Sequence, residues 1–99
     1  PLVDLMWQWW NTGDRWLVRA AVCHQRGRKE DTDLDLLFAM CSGYAGDREF
    51  FIAKAIGWAL RDVSTLFPDH VRGFVDDHPD LSPVARREAL RKIDPSFPR

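Results

Sequence analysis

The chain has 99 residues, 45% of them apolar, with five Trp and a formal net charge of −1. That length makes one small domain with enough apolar side chains for a core, and a charge near zero excludes a uniformly basic surface, so any anion-binding argument must rest on where the charges sit. Cys23 and Cys41 lie 18 residues apart with no CxxC and no paired His, which argues against a zinc site or a disulfide framework and for a reducing, cytoplasmic setting.

No apolar run is long enough to span a membrane, no signal peptide stands at the start, and no metal or cofactor is expected. The sequence begins at Pro1 with helical pattern at once, and is expected to be the C-terminal fragment of a longer protein.

In chain order, Leu2–Trp10 carries Leu2, Leu5, Met6 and Trp9 at helical spacing. Asn11, Thr12 and Gly13 break it. A second helix is expected from about Asp14 to Arg26, with Trp16, Leu17, Ala20, Ala21 and His24 on its apolar side and Gly27 ending it. Thr32 is placed to cap a third helix, whose buried stripe is Leu34, Leu37, Phe38 and Cys41. Gly43 to Gly46 is the turn out.

The fourth helix starts near Glu49 and is predicted to run to about Phe67, with Phe51, Ala55, Ala59 and Val63 recurring every fourth residue. Pro68 opens a fifth, with Val71, Phe74 and Val75 inward. Ser82-Pro83 opens a sixth, with Leu81 placed as a hydrophobic staple and Val84, Ala85, Ala89, Leu90 and Ile93 facing inward. No alternating strand pattern occurs. Residues 1–94 are expected to form the domain and 95–99 a tail.

The six helices repeat in pairs. Trp16–Ala21 aligns with Phe51–Ile56 at an offset of 35, and a further shift of 34 places Ala55 on Ala89, within Ala85–Leu90. Such a period with two helices per unit marks an α-solenoid. The expected fold is all-α: an α-α superhelix of HEAT-like repeats in three antiparallel helix pairs.

Charge is sorted between the helices of each pair. The second helices hold Arg15, Arg19 and Arg26, then Arg48, Lys54 and Arg61, then Arg86, Arg87, Arg91 and Lys92. The first helices hold Asp4, then Asp33 and Asp35, then Asp69, Asp76 and Asp77. Stacked second helices would present a basic surface suited to a polyanion. On the fourth helix Lys54, Trp58 and Arg61 form a second stripe beside the apolar one, with an indole between two cations.

Trp10–Val22, Glu49–Asp62 with its Lys-Ala-Ile-Gly-Trp-x-Leu-Arg run, and Leu81–Pro83 with Arg86–Leu90 resemble the C-terminal part of the AlkD-type DNA alkylation repair enzymes, as does the spacing of 39 from Arg19 to Trp58. Val18 departs from the family, which often has a second arginine there.

The resemblance implies a HEAT-like-repeat DNA glycosylase that hydrolyses the N-glycosidic bond of alkylated purines, with double-stranded DNA as partner. It implies that Arg19 meets phosphate and that Trp58 packs on the backbone sugar in the concave cleft. The family's catalytic Asp is expected upstream of this chain, so no catalytic residue is expected within it and the fragment alone should be inactive. Asp4 and Asp14, the only acids before Arg19, are not expected to replace it.

The expected DNA-binding residues are Arg19, Lys54, Trp58 and Arg61. The alternative is a non-catalytic helical-repeat scaffold that binds an acidic protein or peptide. Trp7, Trp9 and Trp10 are expected to leave apolar surface on the first pair, through which the chain could self-associate.

Overall fold

The computed structural model describes residues 1–94, so the expected tail at 95–99 lies outside the described residues. Six α-helices form: α1 (Leu2–Asn11), α2 (Arg15–Cys23), α3 (Leu34–Gly43), α4 (Phe50–Ser64), α5 (Pro68–Asp77) and α6 (Pro83–Leu90). No strand occurs among the described residues, and no described helix is long and apolar enough to cross a membrane. The all-α architecture expected from the sequence is the one that forms.

Most of these helices start where a side chain can take up the orphan amides of a first turn. The Asp14 carboxylate accepts from the backbone N–H of Trp16 and of Leu17, at 2.9 and 3.1 Å. Glu49 accepts from Ile52 N–H at 2.9 Å. Pro68 and Pro83 are the first residues of α5 and α6, where a missing N–H costs nothing. The cap of α3 is Asp33 rather than Thr32; Asp33 accepts from Leu36 N–H at 3.1 Å, and Thr32 is buried in extended conformation. A carboxylate also complements the positive end of the helix dipole, which a hydroxyl does not.

Two helices end earlier than their periodicity predicts. α2 stops at Cys23 instead of continuing to Arg26. Beyond it the amides bond three residues back, Arg26 N–H to Cys23 O at 3.0 Å, and Gly27 takes a left-handed φ of 88°. Buried Gln25 then clamps the loop: its amide donates to Asp33 O at 3.0 Å and accepts from Asp33 N–H at 2.7 Å. α4 stops at Ser64, because Phe67 precedes Pro68 and cannot easily stay helical.

The helices build two layers. α4 packs most extensively on α6 and next on α2, so α2, α4 and α6 lie side by side. α3 is tied to α1 by Trp10 Nε1–H donating to Met40 O at 2.9 Å, and to α5 by the Phe38–Phe74 ring pair. Between the layers Val18, Val22, Met40, Ile56, Leu60, Val63 and Val71 are fully buried. Two glycines let backbones close up. A Cβ at Gly43 would lie 2.1 Å from the Trp10 ring, and one at Gly57 would lie 2.6 Å from Glu88 Cβ. Leu81, expected as a staple, is buried in this core.

Trp7, Trp9 and Trp10 are each half-buried against that core. The exposed apolar atoms of α1 belong instead to Leu2, Val3 and Leu5, at 51, 43 and 40% exposure.

Candidate functional site

α2 and α4 run side by side, so side chains one repeat apart meet in the groove they share. Trp58, half-buried on α4, is the centre of that groove. Three cations sit around its ring: Lys54 Nζ at 5.3 Å from the centroid, Arg19 Cζ at 5.6 Å and Arg26 Cζ at 5.8 Å. The quadrupole of an indole attracts cations at such distances. Arg19 is also 6.0 Å from the Trp16 ring, so its guanidinium touches two indoles. Stacking of this kind fixes a guanidinium and leaves its N–H fork free for an anion.

Two cavities flank Trp58. The larger, about 360 Å³, is lined by Arg26, Trp58, Arg61, Asp62 and Lys92. The smaller, about 270 Å³, is lined by Trp16, Arg19, Ala20, Cys23, Arg26 and Trp58. They share Arg26 and Trp58, so a single groove runs over the indole. Asp62, the acid within it, accepts the N–H of Gly27 at 3.1 Å and so pins the turn that carries Arg26. Cys23 makes a contact of 3.6 Å to Ala55 O, and burial raises its thiol pKa against the opposing pull of Arg26 and Arg19. Its neutral form is therefore favoured.

The four residues expected from the sequence are brought together. Arg19 and Lys54 both flank Trp58, and Arg61 lines the larger cavity beside it. Two of them are not free cations, however. Glu88 of α6, only 5% exposed, pairs with Lys54 Nζ at 3.6 Å and with Arg61 Nη1 and Arg91 Nη2 at 3.2 Å each. Glu49 likewise pairs with Arg15, at 3.3 Å. The layer expected to be basic contains carboxylates that neutralise part of it.

The four expected DNA-binding residues left out Glu88, Arg26, Lys92, Trp16 and Asp62, although Arg26 and Lys92 were counted in the basic layer. Three of these carry a signal in the repeat. Arg26 stands 35 residues before Arg61, Lys92 stands 34 after Trp58, and Glu88 stands 34 after Lys54. The third repeat thus puts an acid where the first two have Arg19 and Lys54.

Chemically, the groove offers guanidinium forks and an aromatic face, which together suit a sugar-phosphate chain. Among the described residues its lining carboxylate is Asp62, which holds Gly27. Outside the groove's lining Asp14 caps α2 and Asp4 is exposed on α1. No group of His, Cys, Asp and Glu able to hold a metal ion occurs among the described residues.

A family model described as DNA alkylation repair enzyme matches residues 2–93. A solved structure described as a predicted DNA alkylation repair enzyme from Enterococcus faecalis superposes with a TM-score of 0.86 at 32% identity, covering 94% of this chain. The chain spans 43% of the length of that relative. Comparison with curated proteins gives no match.

Proposed function

The chain belongs to the DNA alkylation repair enzyme family, and on that premise we propose that its groove grips the sugar-phosphate backbone of duplex DNA in a HEAT-like-repeat glycosylase that excises alkylated purines. The observation that carries this reading is Arg19 held against Trp16 and Trp58, with Arg26 over the same Trp58 ring. Phosphates would meet Arg19 and Arg26, and the sugar between them would pack on Trp58. Loss of a glycosidic bond builds positive charge on that sugar. Beside three cations such charge is repelled, so the chemistry needs a carboxylate. The acids near the groove are occupied, and these 99 residues are therefore proposed to bind without cleaving.

The test is titration of duplexes with and without an abasic-site analogue. Arg19→Ala should weaken both alike, by on the order of 1–3 kcal/mol for a charge-assisted bond. Trp58→Ala should weaken the abasic duplex more than the plain one. Equal losses on both duplexes would remove the sugar from the role of Trp58. Release of 7-methylguanine or 3-methyladenine by the 99 residues would overturn the binding-only reading and make Asp62 the first suspect.

Exposed Trp16 beside Arg15, with exposed Phe50 against the Phe51 ring that Arg15 also covers, favours a second reading, a scaffold for an acidic apolar protein segment. Displacement of such a peptide by duplex DNA, but not the reverse, separates the two.

A further inference from the structure

We propose that Glu88 is a positioning residue that holds Lys54 and Arg61 as neutralised donors on the two sides of Trp58, leaving Arg19 and Arg26 to carry the electrostatic grip on phosphate. The proposal rests on the DNA-binding reading above and divides the labour within that groove.

The geometry begins with Gly57. Its missing Cβ allows α6 to approach until Glu88 Cβ and Ala85 Cα lie within 2.6 and 3.2 Å of where that Cβ would be. Glu88 is thereby wedged against α4, facing the turn between Lys54 and Arg61. A carboxylate this buried is costly unless it is paired, and it receives three cations at 3.2 to 3.6 Å. It cannot swing out to solvent when an anion arrives. A phosphate entering the groove must share Lys54 and Arg61 with it.

Both cations keep donors to spare, since an ammonium has three N–H groups and a guanidinium five. They can still hydrogen-bond a phosphate, but much of their charge is already balanced. They displace fewer counterions than free cations, and counterion release sets the salt dependence of binding. Arg19 and Arg26 make no ion pair within 4.0 Å among the described residues. The repeat register supports the division, because Glu88 occupies in the third unit the position of Arg19 in the first and Lys54 in the second.

The experiment records affinity for an undamaged duplex oligonucleotide across a salt series, for the wild type first and then for single variants. Arg19→Gln and Arg26→Gln should each flatten the log–log slope by about 0.9. Lys54→Gln and Arg61→Gln should weaken binding while moving the slope far less. Glu88→Gln should steepen it by about 0.9, which makes a fourfold salt change worth about 3.5-fold more in affinity. A merely structural Glu88 would lower stability and leave the slope alone.

An unchanged slope in a Glu88→Gln protein with native circular dichroism overturns the proposal. So does a full unit lost in Lys54→Gln or Arg61→Gln. If Glu88→Gln does not fold, the four cation variants decide the matter by themselves. A wild type with no salt-dependent binding overturns the DNA-binding reading itself, an outcome visible before any variant is made.

Discussion

Gly57 and Glu88 meet where α4 packs closely on α6, and a single methyl group is enough to test that contact. Gly57→Ala would place its Cβ 2.6 Å from Glu88 Cβ, a distance that forces one helix to move. Overpacking of this kind costs about 1–3 kcal/mol. Alanine is better than glycine inside a helix by about 1 kcal/mol, which offsets only part of it. Urea unfolding of Gly57→Ala should therefore show a lower midpoint than wild type. A midpoint at or above wild type would mean that the helices part without cost. The same displacement would carry Glu88 away from Lys54 and Arg61, so the effect of this glycine reaches the groove.

At the scale of elements, α2 matters most, because it carries Trp16 and Arg19 and has only nine residues. A helix that short depends on its ends. Asp14 ties down two of its first amides, and Asp14→Ala should cost about 1 kcal/mol. Asp14→Ser should recover most of that in thermal unfolding; no recovery would mean that the carboxylate acts otherwise than as a cap.

The number and order of the helices, and the buried faces of α4, α5 and α6, were legible because burial on one side writes a 3.6-residue period into the sequence. By contrast, α2 buries Val18, Ala21 and Val22 and leaves Trp16 exposed, and α1 buries Met6 and leaves Leu2 and Leu5 exposed. The true ends of α2 and α3 were not. They are set by Gln25 bonding both backbone groups of Asp33 across eight residues, an interaction with no period. The groove was legible in the same partial way. Arg19 and Lys54 fall at equivalent repeat positions, and Trp58 is one turn beyond Lys54. Glu88 also stood in the register, but only the approach permitted by Gly57 turns it from a surface acid into a buried partner.

For the whole molecule, the alternation of charge between layers produces a basic groove rather than a basic face, since Glu49 and Glu88 draw Arg15, Lys54, Arg61 and Arg91 into ion pairs. The apolar surface behaves differently. Besides Trp16, Phe50 and Leu66, it includes three neighbours on α1, Leu2, Val3 and Leu5, at 40 to 51% exposure, and we propose α1 as the surface through which two copies would associate. The energy is modest. Full burial of one such side chain contributes about 1.5–3 kcal/mol, so three half-exposed ones offer about 3 kcal/mol together. Association itself costs at least about 4 kcal/mol. The half-buried Trp7 and Trp9 must contribute further area before a pair forms, and any such pair is weak.

Sedimentation at rising protein concentration should then show a monomer giving way to a dimer only at high concentration. Sulfate should strengthen the dimer, as it strengthens apolar burial, whereas salt should weaken the proposed binding of DNA to the groove. The double variant Leu2→Glu, Leu5→Glu should remain monomeric with unchanged helical content. A dimer that persists in that variant, or one that salt dissolves, would place the contact on the charged layer instead of on α1.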